Sequence, residues 1–436
     1  VTSRLRRRND SSKAARPPQP AAKLTGIAAG GVAVVTAAGV IVTLATGSPS
    51  TSAPSASAPV QAAPQVNVER ARTVDGVAVG YPHTQDGAKA AAANYTVVSG
   101  SAAFLTNSER RHRAVAAMAA RDAADMVGKK ADLAATQAVA SLRGDTTELS
   151  AEQSIARTGV LSARILGYDD QGAMVRLWTT TVRGSAAGHA TPKAGYRSVT
   201  VTLVWEADDW KLKDSSSAAG LVAPIDARQA SNVAGDFSGY VPAAADDPVV
   251  TGALRPDGFP APYERSERGA RAAAVSAVML YGDTRFFTDE QWRHRMLAAT
   301  AAPSVLKSVT SDSDATARLV AENRGVGTDG KSADGSELIT RTAVLATRTI
   351  SRSDQAASIE LWTASAGGVA GKEETRRPQV AFLRMTVDLV WVDGTWKTTA
   401  VTPSAPLVPS PPAMQQADSA DAFAEVGGAG NAPATA

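Results

Sequence analysis

One stretch of this chain occurs twice, and that duplication limits the fold more than any other feature. Leu177-Trp178-Thr179, Leu203-Val204-Trp205 and Trp210-Lys211 return as Leu361-Trp362-Thr363, Leu389-Val390-Trp391 and Trp396-Lys397. The offsets are 361 − 177 = 184 at the first motif and 391 − 205 = 396 − 210 = 186 at the tryptophans. Arg157-Thr158 with Arg341-Thr342, and Asp170-Gln171 with Asp354-Gln355, keep the offset of 184. Leu221-Val222 pairs with Leu407-Val408 at 186, and Arg111-His112-Arg113 with Arg293-His294-Arg295 at 182, as does Gly87-Ala88 with Gly269-Ala270. Register held over roughly 140 residues means two copies of one domain.

The 436 residues suffice for two or three domains. The net charge of +3 is small, and Arg4, Arg6, Arg7, Arg8, Lys13 and Arg16 sit together at one end, so the remainder is not a nucleic-acid-coating protein. The absence of cysteine excludes disulfides, thiolate metal sites, a cysteine nucleophile and a lipidated cysteine anchor.

No charge appears between Lys23 and Glu69, and Leu24 to Leu44 is 21 residues of Ala, Gly, Val, Ile, Leu and Thr. At about 1.5 Å per residue such a run matches the roughly 30 Å hydrocarbon core, which predicts a transmembrane helix over 24–46. The arginines before it place residues 1–23 in the cytoplasm by the positive-inside rule. A cleaved signal peptide has the same basic start; the length of the run and Pro59 directly after Ala56-Ser57-Ala58 favour a retained anchor. Residues 47–79, with Pro49, Pro54, Pro59 and Pro64, read as an extended tether.

Each copy then reads as helices followed by strands. Thr84 and Ser266 are predicted N-caps of first helices that end at Gly100 and Gly282. Thr106-x-x-Glu109 and Thr288-x-x-Gln291 read as capping boxes of second helices, and third helices are expected over 121–142 and 303–322. Strands are expected at 155–167, 173–183, 197–206 and 209–215, with Val199, Val201, Leu203 and Trp205 on one face. Asp393-Gly394 is a two-residue hairpin turn that sets Trp391 opposite Trp396, and Ala207-Asp208 is its equal-length counterpart between Trp205 and Trp210. Both tryptophan pairs are expected to be buried core supports, with ligand stacking as the alternative.

The resulting class is α+β: a single N-terminal transmembrane helix followed by two tandem cone-shaped domains, each of about three helices packed on a curved antiparallel sheet. The boundaries are 80–225 and 261–409, with a Gly- and Pro-containing linker at 226–260 and a disordered tail at 410–436. Element order and domain length resemble the nuclear-transport-factor-2-like fold. The basic terminus, single span, tether and doubled Leu-Trp-Thr and Trp/Trp pattern resemble the bitopic assembly subunit of conjugative type IV secretion systems, in its two-domain TcpC-like form.

That resemblance implies a non-catalytic, single-pass scaffold of a conjugal DNA-transfer channel, its domains extracytoplasmic and its partners the membrane, itself and other channel subunits. It implies no catalytic, cofactor-binding or metal residues, no cofactor, no sequence-specific nucleic-acid contact and no small-molecule substrate. The residues agree with that expectation. His83, His112, His189 and His294 form no His-x-x-x-His pair and no adjacent His/Glu cluster with metal-ligand spacing; His112 and His294 read as part of a basic helix face, and Asp170 and Asp354 as turn residues. No phosphate-binding glycine loop is present, since Gly325-Val326-Gly327 lacks a following Lys and Ser/Thr, and Gly-x-Ser-x-Gly is missing. The rival readings are a surface binder of small molecules or wall polymer using the cone cavities, and an isomerase-like enzyme of the same fold.

Overall fold

The computed structural model describes residues 33–36, 39–42, 72–143, 154–185, 192–223, 241–242 and 262–404, with Asp418 and Phe423. Of the predicted membrane span only β1 (Ala33–Thr36) and β2 (Gly39–Val42) are described, as an antiparallel pair; the rest of that span lies outside the described residues. Among the described residues no helix is long and apolar enough to cross a membrane.

The first domain opens before the expected boundary at 80. A hairpin, β3 (Arg72–Val74) and β4 (Val77–Val79), turns at Asp75-Gly76 and buries Val77, Ala78 and Val79 in the core. Helices α1 (Gln85–Ser99), α2 (Ala102–Thr106), α3 (Ser108–Met118) and α4 (Ala124–Arg143) follow. They cover one face of a four-stranded antiparallel meander, β5 (Ser154–Tyr168), β6 (Gly172–Ser185), β7 (Lys193–Glu206) and β8 (Asp209–Ala219).

The second domain repeats the plan with α5 (Glu267–Tyr281), α6 (Thr284–Thr288), α7 (Glu290–Thr300) and α8 (Pro303–Arg324), then β10 (Glu337–Arg352), β11 (Ala356–Ala370), β12 (Gln379–Val392) and β13 (Thr395–Ser404). From the linker, the two-residue β9 (Val241–Pro242) pairs with the edge of β10 at Ala346 and Thr347. The mixed α+β class, with one large antiparallel sheet in each copy, is as read from sequence.

Local chemistry explains most of the repeated residues. Thr84 Oγ1 and Ser266 Oγ accept from the amides of Gly87 and Gly269 at 3.0 Å, so the predicted caps are correct. A Cβ on Gly87 would sit 1.9 Å from the Pro82 carbonyl oxygen, and on Gly269 2.0 Å from that of Glu264, which is why Gly occurs at both places. The second helices start one residue later than the capping-box reading. Asn107 and Asp289 cap α3 and α7 through the amides of Arg110 and Trp292. Thr106 and Thr288 instead end the short α2 and α6, bonding back to the carbonyls of Ala102 and Thr284. Asn and Asp are better N-caps than Thr, and they stand directly before the helix.

Both hairpin turns place two residues at positive φ: Asp393 and Gly394 at 53° and 74°, but Ala207 and Asp208 at 52° and 56°. A left-handed conformation costs a non-glycine residue about 1–2 kcal/mol, part of which returns as glycine's greater unfolded-state freedom. Converting the first turn to Asn-Gly, by Ala207→Asn with Asp208→Gly, is therefore expected to raise stability by about 1 kcal/mol, read by chemical denaturation. A loss of stability would show that the β7–β8 turn is held by contacts other than its backbone geometry.

The face of each sheet away from its own helices packs against the other domain. Ile155, Leu161, Trp178, Val182, Ala194 and Tyr196 form one buried cluster with Ile339, Leu345, Trp362, Ala366, Val380 and Phe382. These two sets are equivalent positions, offset by 184 up to Ala366 and by 186 after it. Gly159 faces Ala343, its own equivalent (159 + 184 = 343), so closely that an added Cβ would lie 2.8 Å from the Ala343 Cβ. A patch that meets its own copy is the geometry of a two-fold dimer, here within one chain. Leu161 and Leu345 occupy matching β-bulges, the unpaired positions between Val160 and Ser162 and between Val344 and Ala346. The extra residue turns each leucine into the shared core.

The tail, expected to be unpacked from 410, is described at two positions, and both are engaged. Val222 and Asp418 exchange two hydrogen bonds, Val222 N to Asp418 Oδ2 at 2.9 Å and Asp418 N to Val222 O at 3.1 Å. Phe423 is fully buried against Trp178, ring centroids 5.5 Å apart.

Candidate functional site

Among the described residues, three places that gather polar or aromatic side chains recur as equivalent pairs. The first is the Arg-His corner on the second long helix of each copy. Arg111 Nε donates to Asp132 Oδ1 at 2.8 Å and its Nη1 to the Phe104 carbonyl at 3.0 Å; Arg293 does the same with Asp314 at 2.9 Å and Phe286 at 2.8 Å. Each guanidinium is buried and ties the end of the short helix to the following long one. His112 Nε2 lies 3.1 Å from Asp132, and His294 Nε2 3.0 Å from Asp314. The histidines thus have carboxylate partners, but their side chains are 56% and 40% exposed rather than enclosed between helices and sheet. Hydrogen bonds from His112 and Arg111 hold Asp132 below the usual carboxylate range. Burial acts to raise Asp314, yet its bonds to Arg293 and His294 prevail and it too is lowered.

In the second copy Glu290 joins this corner. Ligand atoms of Glu290, His294 and Asp314 lie within 4.8 Å of one another. The expectation of no His/Glu cluster with ligand spacing therefore needs correction: Glu290 and His294, four residues apart on one helix face, are a two-donor spacing, and the third donor comes from the next helix. Among the described residues, these three groups could hold a divalent ion. Arg293 already contacts Asp314 Oδ1 through both Nε and Nη2, at 2.9 and 2.6 Å, so the carboxylate is balanced by a fixed cation. The first copy has Ser108 at the Glu290 position (108 + 182 = 290) and keeps the same Arg–Asp–His geometry, so the corner forms with only two of the donors.

The second pair is the tryptophan hairpin. Trp205 lies opposite Trp210, and Trp391 opposite Trp396, with edge-to-face rings 5.2 and 5.4 Å apart, as the turn registers require. The expectation that both members are buried needs correction. Trp210 and Trp396 are in the core, where their indole N–H groups donate to the carbonyls of Pro82 and Glu264 at 3.0 and 2.9 Å. Trp205 and Trp391 are only half-buried. The first stacks on His83 at 4.1 Å and the second lies under the Arg265 guanidinium at 5.5 Å, and these two partners are themselves equivalent (83 + 182 = 265). Directly opposed residues share a sheet face, but this face runs out from under the helices before the outer ring.

The third is the space between helices and sheet, where an enzyme of this fold needs a base and an oxyanion donor. Its interior is filled by Ala, Val, Leu, Met and aromatic side chains in both copies. The buried acid of the first copy, Asp209, accepts from the Tyr81 amide at 3.0 Å through Oδ1 and faces Lys211 Nζ at 3.0 Å through Oδ2. In the second copy Thr395 accepts from the Tyr263 amide at the same position and distance (209 + 186 = 395). A hydroxyl replacing the carboxylate in one copy identifies a backbone tie rather than a general base. Asp170 and Asp354 lie at exposed hairpin tips, as expected.

The Leu-Trp-Thr motif divides its work by direction. Leu177 and Leu361 enter their own domain cores, Trp178 and Trp362 enter the shared interdomain core, and Thr179 and Thr363 donate to the carbonyls of Arg197 and Leu383 on the next strand.

Residues 44–242 match a family model described as a domain of unknown function, DUF8175, a stretch that takes in the first copy and ends before the second. No curated protein matches the chain. Among solved structures, an Ntf2-like protein involved in plasmid conjugation is similar at 10% identity and a TM-score of 0.19, covering 72% of this chain and 94% of its own.

Proposed function

We propose that the chain is a non-catalytic, membrane-anchored scaffold subunit of a conjugative DNA-transfer channel of the type IV secretion kind, working through extracytoplasmic protein–protein contacts. The observation that carries this reading is the duplication of its polar constellations as structural ties. Arg111–Asp132 and Arg293–Asp314 clamp helices, and Asp209 and Thr395 hold the chain before the first helix, in both copies alike. The uncharged run after a basic terminus and the Pro-rich tether support the anchored placement. The two sheet faces are consumed by each other, so contacts with further copies and other subunits fall to the helical surfaces. There α4 exposes Met126 and Leu133.

The pairing of the domains changes which experiment is informative. Deleting residues 261–409 would strip the cover from Leu161, Trp178 and Tyr196, so a transfer defect in that variant would conflate lost contacts with an exposed apolar face. Replacing His112 and His294 together by Gln is the sharper test. An exposed ion pair contributes about 0–1 kcal/mol, so the double variant is expected to fold, insert and support transfer within about twofold of the parent. Loss of transfer from a variant that still folds, inserts and co-purifies with channel subunits would make the corner a chemical site and end the scaffold reading.

A further inference from the structure

The two copies have diverged at one end of the helix-facing side of the sheet. In the first, Arg183 on β6 pairs directly with Lys193 on β7, and Arg197 lies opposite Thr179. Side chains alternate along a strand, so Thr179, Thr181 and Arg183, with Lys193, Gly195 and Arg197 across from them, share one face. Thr158, opposite Thr181, identifies that face as the helix side, because it meets the α1 terminus at Gly100. Three cations therefore surround a glycine, which puts no side chain in the space between them.

The second copy places Gly367, Gln379, Ala381 and Leu383 at the positions of Arg183, Lys193, Gly195 and Arg197 (183 + 184, then 193, 195 and 197 + 186). There Ala381 and Leu383 are buried in the domain core. The same end of the sheet is closed by apolar packing in one domain and lined by cations in the other.

Like charges directly opposed on neighbouring strands destabilise a sheet, so this arrangement works against folding. Arg183 is half-buried, and burial together with the Arg197 charge depresses its pKa below the usual arginine range. Among the described residues no carboxylate pairs with any of the three cations. Arg197 Nη1 donates to Ser217 Oγ at 3.3 Å, a neutral acceptor.

We propose that Arg183, Lys193 and Arg197 form an oxyanion-binding site of the first domain, one that takes a phosphate or carboxylate group presented by a ligand. Two guanidinium forks and an ammonium on one sheet face, beside a residue without a side chain, suit a multi-oxygen anion, and the forks supply paired N–H donors. This site is separate from the surfaces by which a scaffold would hold its partners, and its failure would leave that reading standing.

The test titrates the full chain with inorganic phosphate and, in a parallel arm, with citrate, by calorimetry at low salt. The expected result is saturable binding, weakened by added sodium chloride. Arg183→Gly with Arg197→Leu installs the residues of the second copy, and is expected to reduce affinity at least ~10-fold, the loss of charge-assisted hydrogen bonds. Arg183→Lys with Arg197→Lys keeps charge without the forks, guards against a folding artefact, and is expected to bind with intermediate affinity. Phosphate binding alone or citrate binding alone names the group recognised. Absence of saturable binding by both anions, or unchanged affinity in the folded Gly/Leu variant, overturns the proposal.

Discussion

Trp210→Ala and Trp396→Ala are each expected to lower the unfolding free energy by about 3–5 kcal/mol, the usual range for truncating a buried Trp. Trp205→Ala and Trp391→Ala, directly opposite on the partner strand, are expected to cost about 1–2 kcal/mol, since only part of their apolar surface leaves water. Trp210 and Trp396 lose more than packing: each indole N–H satisfies the carbonyl of the segment entering the first helix, at Pro82 and Glu264. Tyr95 Oη also donates to the Trp210 carbonyl at 2.6 Å, so the first copy couples this strand directly to α1. Guanidinium denaturation of the four single variants gives the comparison. Equal losses within a pair would mean that the outer ring is covered by something beyond the described residues.

Trp178→Ala and Trp362→Ala form the second large prediction. Both rings are buried in the cluster common to the two domains, together with Leu161, Leu345, Tyr196 and Phe382. The parent is expected to unfold in one cooperative transition. Each substitution is expected to remove about 3–5 kcal/mol, and the double substitution to split unfolding into two transitions as the domains uncouple. The Trp178 indole N–H donates to the Leu221 carbonyl at 2.8 Å, and its ring meets Phe423, so Trp178→Ala should also release the described tail contacts. Hydrogen exchange at Val222 reports that release. A double variant that still melts in a single transition, with Val222 protected, would show that the domains are held together by other contacts.

The duplication itself was legible because its markers carry fixed local duties. Gly87 and Gly269 recur because a neighbouring carbonyl leaves no room for a Cβ, and Gly100 and Gly282 because Thr158 and Thr342 press against them. Caps at Thr84 and Ser266, the Asp393-Gly394 turn and the alternation of β7 and β12 are short-range events, decided within a few residues. Helix and strand order, sheet type and tryptophan register followed from them.

Periodicity stops short of saying what covers each face. It places Leu177 and Trp178 on opposite sides of β6, but which side meets helices and which meets a second sheet depends on residues 184 positions away. For the same reason the basic Arg-His corner read as a solvated face, since Asp132 and Asp314 lie on another helix, 21 residues from each arginine. Within each tryptophan pair, sequence made the two rings equivalent, and only the reach of the helices over the sheet separated a buried member from a half-exposed one. Local hydrogen bonding and sterics thus set the elements of each copy. Long-range burial decided that the copies face each other, because an apolar sheet face is stable only against whatever surface the rest of the chain supplies.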